Sequence, residues 1–117
     1  MTFIGYRKCS TSNRAQSWLD AHGISYEFRD IRENNPKLDE LKEWALKSGQ
    51  PLKSLFNTSG MLYREMGLKG RISSMSNEEL LCLLSENGML VKRPVIVSEG
   101  FVMFGFKEDK WETALIR

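Results

Sequence analysis

Thr2-Phe3-Ile4-Gly5-Tyr6-Arg7-Lys8-Cys9-Ser10-Thr11-Ser12-Asn13-Arg14 opens the chain with an apolar run, a cationic turn and a cysteine, and then passes into a helical pattern. A strand, a tight turn and a helix start place Cys9 at the turn. Unpaired amides and the macrodipole at a helix N-terminus stabilise an anion, so a thiol there ionises more readily. Arg7, Lys8 and Arg14 add positive charge nearby. Making such a thiol mostly thiolate at neutral pH takes a drop of about two pKa units, roughly 2.7 kcal/mol of differential stabilisation. The alternative is a small buried hydrophobe ending a strand, as many free cysteines are. The spacing is Cys-x-x-Ser, so Ser12 can only donate a hydrogen bond where a dithiol motif carries its second, attacking thiol.

Beyond the turn, Ala15, Trp18 and Leu19 fall at helical spacing and Gly23 offers a left-handed stop, which predicts a helix from about Thr11 to His22. Ile24 to Ile31 alternates apolar and polar residues, as a half-buried strand does. Strand, helix, strand at this spacing is a βαβ unit with a right-handed crossover and parallel strands, which leaves Cys9 at their carboxyl ends. Asn35-Pro36 reads as the N-cap and first residue of a second helix that ends near Gly49. Two short helices flank the turn at Asn57-Thr58-Ser59-Gly60, and Ser76-Asn77-Glu78-Glu79 is a capping box. Val91 to Phe106 reads as an antiparallel hairpin, and Lys107 to Ile116 as a closing helix that buries Trp111, Leu115 and Ala114. The economical assembly is a four-stranded mixed sheet with helices on it: an α/β fold, one domain over residues 1–117, with a helical insertion at about 36–88.

Composition limits what such a domain does. At 117 residues the chain can bury a core without staples or metals. A net charge of +2, with cations dispersed among carboxylates, does not indicate direct nucleic-acid binding. No apolar run is long enough to span a membrane, and the N-terminus does not read as a signal peptide, so a cytoplasmic location is expected. His22 and two separated cysteines match no zinc spacing, so no metal ligands are assigned. In the helix after Ser76, Leu80, Leu81, Leu83 and Leu84 form the apolar stripe, while Cys82 shares a face with Glu78, Ser85 and Glu86. That acidic setting does not favour a reactive thiolate, which argues against Cys82 as a resolving cysteine.

The residues Cys9-x-Thr11-Ser12, Phe56-Asn57-Thr58-Ser59-Gly60-x-x-Tyr63-Arg64, Arg93-Pro94-Val95-Ile96-Val97 and Gly105-Phe106 together resemble the arsenate reductase/Spx family of thioredoxin-like proteins, over nearly the whole length. The resemblance implies a thioredoxin or glutaredoxin core, βαβ then ββα, with a helical insertion after the second strand. It also implies a cis bond between Arg93 and Pro94. In arsenate reductases of this family a cysteine attacks the arsenic oxyanion while arginines hold it; Cys9 matches the nucleophile and Arg93 one arginine. Asn57 stands where a second arginine is expected and Lys107 near a third, and neither supplies the planar fork that binds an oxyanion through two parallel bonds.

The resemblance therefore implies a cytosolic monothiol redox protein. Cys9, Ser12 and Arg93 would be catalytic, and Thr11, Arg14, Asn57, Pro94 and Lys107 would bind an oxyanion or a small-molecule thiol. No tightly bound cofactor is expected; an external reductant, a glutathione-type thiol or a glutaredoxin, would complete the cycle. The alternative is an Spx-like regulator or adaptor that binds RNA polymerase, with Ser12 in place of the second cysteine of the Spx switch and without the longer Spx tail. Arg64, Lys69 and Arg71 would suit such a partner or simply form a solvated basic edge.

Overall fold

The computed structural model describes residues 1–116; Arg117, the last residue of the expected domain, lies outside them. The elements in chain order are β1 (Thr2–Gly5), α1 (Ser10–Ala21), β2 (Glu27–Asp30), α2 (Leu38–Ser48), α3 (Met61–Glu65), α4 (Asn77–Glu86), β3 (Val95–Val97), β4 (Val102–Phe104) and α5 (Glu108–Leu115). The strands form one sheet in the order β2-β1-β3-β4. β1 runs parallel to β2, with Phe3 opposite Phe28, and antiparallel to β3, with Phe3 opposite Ile96; β3 and β4 make the antiparallel hairpin.

Alternation along the strands divides the apolar residues between two faces. Phe3 and Ile96 point to one side, where they are buried with Ala15 and Leu19 of α1 and Trp111 of α5. Ile4 and Val95 point to the other, into a larger cluster with Leu41 and Trp44 of α2, Tyr63 of α3 and Leu80 and Leu84 of α4. The segment between β2 and β3 thus supplies the helical cover of one face. Within this segment an isolated antiparallel bridge pairs Phe56 with Val91 on the approach to β3. Two hydrogen bonds flank that bridge: Asn57 N–H donates to the Leu90 carbonyl at 2.7 Å, and Lys92 N–H donates to the Leu55 carbonyl at 2.8 Å. This short pairing brings the Asn57 turn alongside Arg93.

Several boundaries differ from the linear reading. β2 begins at Glu27, because Ile24 belongs to the stop of α1: its N–H donates to the Leu19 carbonyl at 3.0 Å across Gly23, whose φ is 66°. Asn35 does not cap α2. Its side-chain amide donates to the Ser85 carbonyl at 2.6 Å and its oxygen accepts from Gly88 N–H at 2.7 Å, so it clasps the end of α4. The start of α2 falls at Lys37, whose N–H donates to the Glu40 carboxylate at 3.0 Å. The capping box at Ser76 is present, with the Ser76 hydroxyl accepting from Glu79 N–H. In α5 Trp111 is buried and Leu115 half-buried, whereas Ala114 is exposed. Among the described residues no helix is long and apolar enough to cross a membrane.

Candidate active site

The turn after β1 is built by backbone bonds. Cys9 N–H donates to the Tyr6 carbonyl at 2.9 Å, and the Cys9 carbonyl accepts from Asn13 N–H at 3.0 Å as the first turn of α1 closes. Cys9 is the N-cap residue of α1, with extended backbone. Ser12, 1% exposed, lies beneath the turn, where its hydroxyl oxygen accepts from Tyr6 N–H at 3.3 Å. A hydroxyl that accepts there keeps its own proton to donate elsewhere. Gly5 makes room for it: a Cβ at Gly5 would sit 2.7 Å from the Phe3 ring and 3.1 Å from the Ser12 oxygen.

Arg93 reaches the same place from the approach to β3. The Arg93–Pro94 peptide is cis, and Pro94 is buried with its carbonyl accepting from Gly105 N–H at 2.7 Å. One terminal nitrogen of Arg93 donates to the Met89 carbonyl at 3.2 Å and lies 3.7 Å from the Met89 sulfur. The guanidinium sits 5.7 Å from the centre of the Tyr6 ring, and its Nε is buried without a hydrogen-bond partner among the described residues.

These neighbours set the chemistry of the thiol. Burial pushes the Cys9 pKa up, but the Ser12 amide, the Ser12 hydroxyl and the Arg93 guanidinium together outweigh it, and the pKa falls below the ordinary thiol value.

Cys9 opens into a cleft of about 480 Å³ whose lining also includes Lys8, Thr11, Asn57, Lys92 and Arg93. None of the described residues lining it is acidic. Of the residues singled out from the sequence, Cys9, Thr11, Asn57 and Arg93 line the cleft and Ser12 supports its floor, while Pro94 contributes only backbone from below. Arg14 is not among them: it is exposed on α1 outside the cleft, because the next turn of the helix rotates it away. Lys107 does not line the cleft itself but a neighbouring pocket that shares Lys92 and Gly105 with it. Arg7 turns away to stack 4.7 Å over Phe28. Lys92, Ser59 and Tyr6 had no role in the linear reading; the adjacency of Lys92 to Arg93 was the one signal for it. Cys82 is half-buried on α4, which packs against α2 on the insertion side of the sheet, and it does not line the cleft.

A sequence profile of the ArsC family matches residues 4–114. The chain belongs to the ArsC family. Its fold is that of a solved ArsC family related protein from Bacteroides fragilis, with 46% identity, a TM-score of 0.93, and coverage of 96% of this chain and 94% of that one. It is similar to the solved arsenate reductase of Vibrio cholerae at 25% identity and a TM-score of 0.80, covering 98% of this chain and 94% of that one. It is also similar to the global transcriptional regulator Spx of Listeria innocua, 26% identical over 102 residues, which are 87% of this chain and 76% of the regulator. The relatives thus include an arsenate reductase and a global transcriptional regulator.

Proposed function

We propose that this ArsC-family protein is a monothiol oxidoreductase in which Cys9 is the nucleophile. The observation that carries the reading is the lowered Cys9 pKa in an open cleft whose lining holds cations and no carboxylate. The Cys9 thiolate attacks one sulfur of a disulfide, a new S–S bond forms to Cys9, and the other half leaves as a thiolate. Lys8, Lys92 and Arg93 favour that anionic departure. A second, external thiolate then attacks the sulfur of the retained half, which breaks its bond to Cys9, forms a new disulfide between that half and the external thiol, and releases the Cys9 thiolate. Each cycle thus exchanges one external thiol for the half that departed; attack of a further external thiol on the new disulfide frees the second half. An external agent is required because Cys82 lies away from the cleft. A glutathione-type thiol or a glutaredoxin would fill that role.

The test is alkylation of Cys9 by iodoacetamide across pH in a Cys82→Ser background. The expected profile has its midpoint below that of free cysteine, and incubation with a small disulfide adds one mixed-disulfide mass that Cys9→Ser abolishes. A midpoint at or above free cysteine, or no adduct, sinks the reading.

A regulator that binds RNA polymerase is the second reading, favoured by the Spx relatives and by the lack of an attacking thiol at Ser12. Capture of purified polymerase by both the unsubstituted protein and Cys9→Ser, with no disulfide turnover, would replace the first reading with this one.

A further inference from the structure

A second pocket, about 130 Å³, adjoins the Cys9 cleft and shares Lys92 and Gly105 with it. Lys107 and Lys110 enter it from the start of α5, and Ser48 and Gln50 from the end of α2. Among the described residues none of these three lysines takes part in a salt bridge, and no acidic residue lines the pocket. Gln50 accepts from Phe104 N–H at 3.4 Å through its side-chain oxygen, which leaves its amide hydrogens free to donate. The stem of Lys92 lies over Gly105, with its Cε 3.1 Å from where a Cβ on that glycine would stand. Lys92 therefore forms the rim between the two pockets. Unpaired cations and an amide donor converging on a small concavity match a carboxylate.

We propose that this pocket is a carboxylate subsite, so that the disulfides and thiols meeting Cys9 are those carrying carboxylates at a distance from the sulfur, held among Lys92, Lys107 and Lys110. The proposal rests on the thiol-exchange reading above and narrows its substrate class. The sulfur chemistry is unchanged: Cys9 forms one S–S bond, the scissile S–S bond breaks, and the departing half carries away the electron pair.

Two measurements separate this proposal from its parent. The first is binding of S-methylglutathione, a carboxylate-bearing thioether that cannot exchange, followed through the indole N–H resonance of Trp111, which lines the pocket and donates to the Gly105 carbonyl at 3.2 Å. Saturable shifts are expected, lost in Lys107→Gln/Lys110→Gln and restored in Lys107→Arg/Lys110→Arg. Absence of binding, or binding that survives in the glutamine variant, overturns the subsite whether or not Cys9 reacts. The second is the ratio of Cys9 reaction rates with glutathione disulfide and with its ethyl ester. That ratio is expected to fall about tenfold in the glutamine variant, as the loss of two converging charges predicts. An unchanged ratio overturns the proposal, whereas failure of both disulfides to react overturns the parent reading and leaves the binding result to decide the subsite.

Discussion

At Cys9 burial and hydrogen bonding pull the thiol in opposite directions. Burial alone would hold the thiol protonated, and the Ser12 amide, Ser12 hydroxyl and Arg93 guanidinium reverse that. Ser12→Ala and Arg93→Ala are each expected to raise the alkylation midpoint of Cys9 and slow its reaction at neutral pH several-fold. An unchanged midpoint would remove that residue from the site. Arg93→Lys should restore only part of the effect, because a lysine keeps the charge but not the fork that bonds Met89 while facing the sulfur. The sign of the linked stability follows. A thiol whose folded pKa is lowered contributes stability that appears as pH rises through the folded value and is complete above the unfolded one. Ser12 was legible in the linear pattern as a hydrogen-bond donor; that Tyr6 N–H orients its hydroxyl required the folded turn.

The elements are held in register by polar clasps as much as by their apolar stripes. Arg29 on β2 meets Glu40 on α2 through two bonds, at 2.8 and 3.0 Å, and the same carboxylate accepts from Lys37 N–H. The Arg29 pairing, offset in part by burial and assisted by the Lys37 amide, holds the Glu40 carboxyl below its ordinary pKa. Glu40→Gln should cost about 1 kcal/mol at neutral pH, the scale of a partly buried charge-assisted pair and a cap together. Because the folded pKa is lowered, the contribution is present above the unfolded pKa and is lost as pH falls through the folded value. Urea titrations should therefore show the gap between the two proteins closing in acid; a gap independent of pH would mean that packing, not charge, is lost. Asn35 and Ile24 show why element ends are harder to read than element interiors. Each looks local in the chain, yet Asn35 is committed to α4, 50 residues on, and Ile24 to the helix stop behind it.

Across the whole molecule, Gly105 ties the site to both layers. Its N–H donates to Pro94, its carbonyl accepts from Trp111 in the buried α5 layer, and Lys92 covers it on the cleft side. Its φ of 82° is in the left-handed region, so Gly105→Ala should lower unfolding free energy by about 1–2 kcal/mol and displace Lys92 from the rim. A stability loss read by urea denaturation, together with a shift of the Trp111 indole resonance, is the expected pair; an unperturbed indole would detach Gly105 from α5. The α/β class, the element order, the capped helix at Ser76 and the place of Cys9 at the strand–helix turn were all legible in the residue order. Periodicity, caps and turn residues act over a few positions, and a strand–turn–helix junction carries its electrostatics with it. The residues around the thiol were not legible in the same way. Arg93 and Asn57 entered through family motifs, and their meeting depends on the bridge between Phe56 and Val91. Lys92 joined the cleft, Arg14 left it and Lys107 moved to the adjoining pocket because helix rotation and the path of the hairpin are set by long-range packing, which no local spacing encodes.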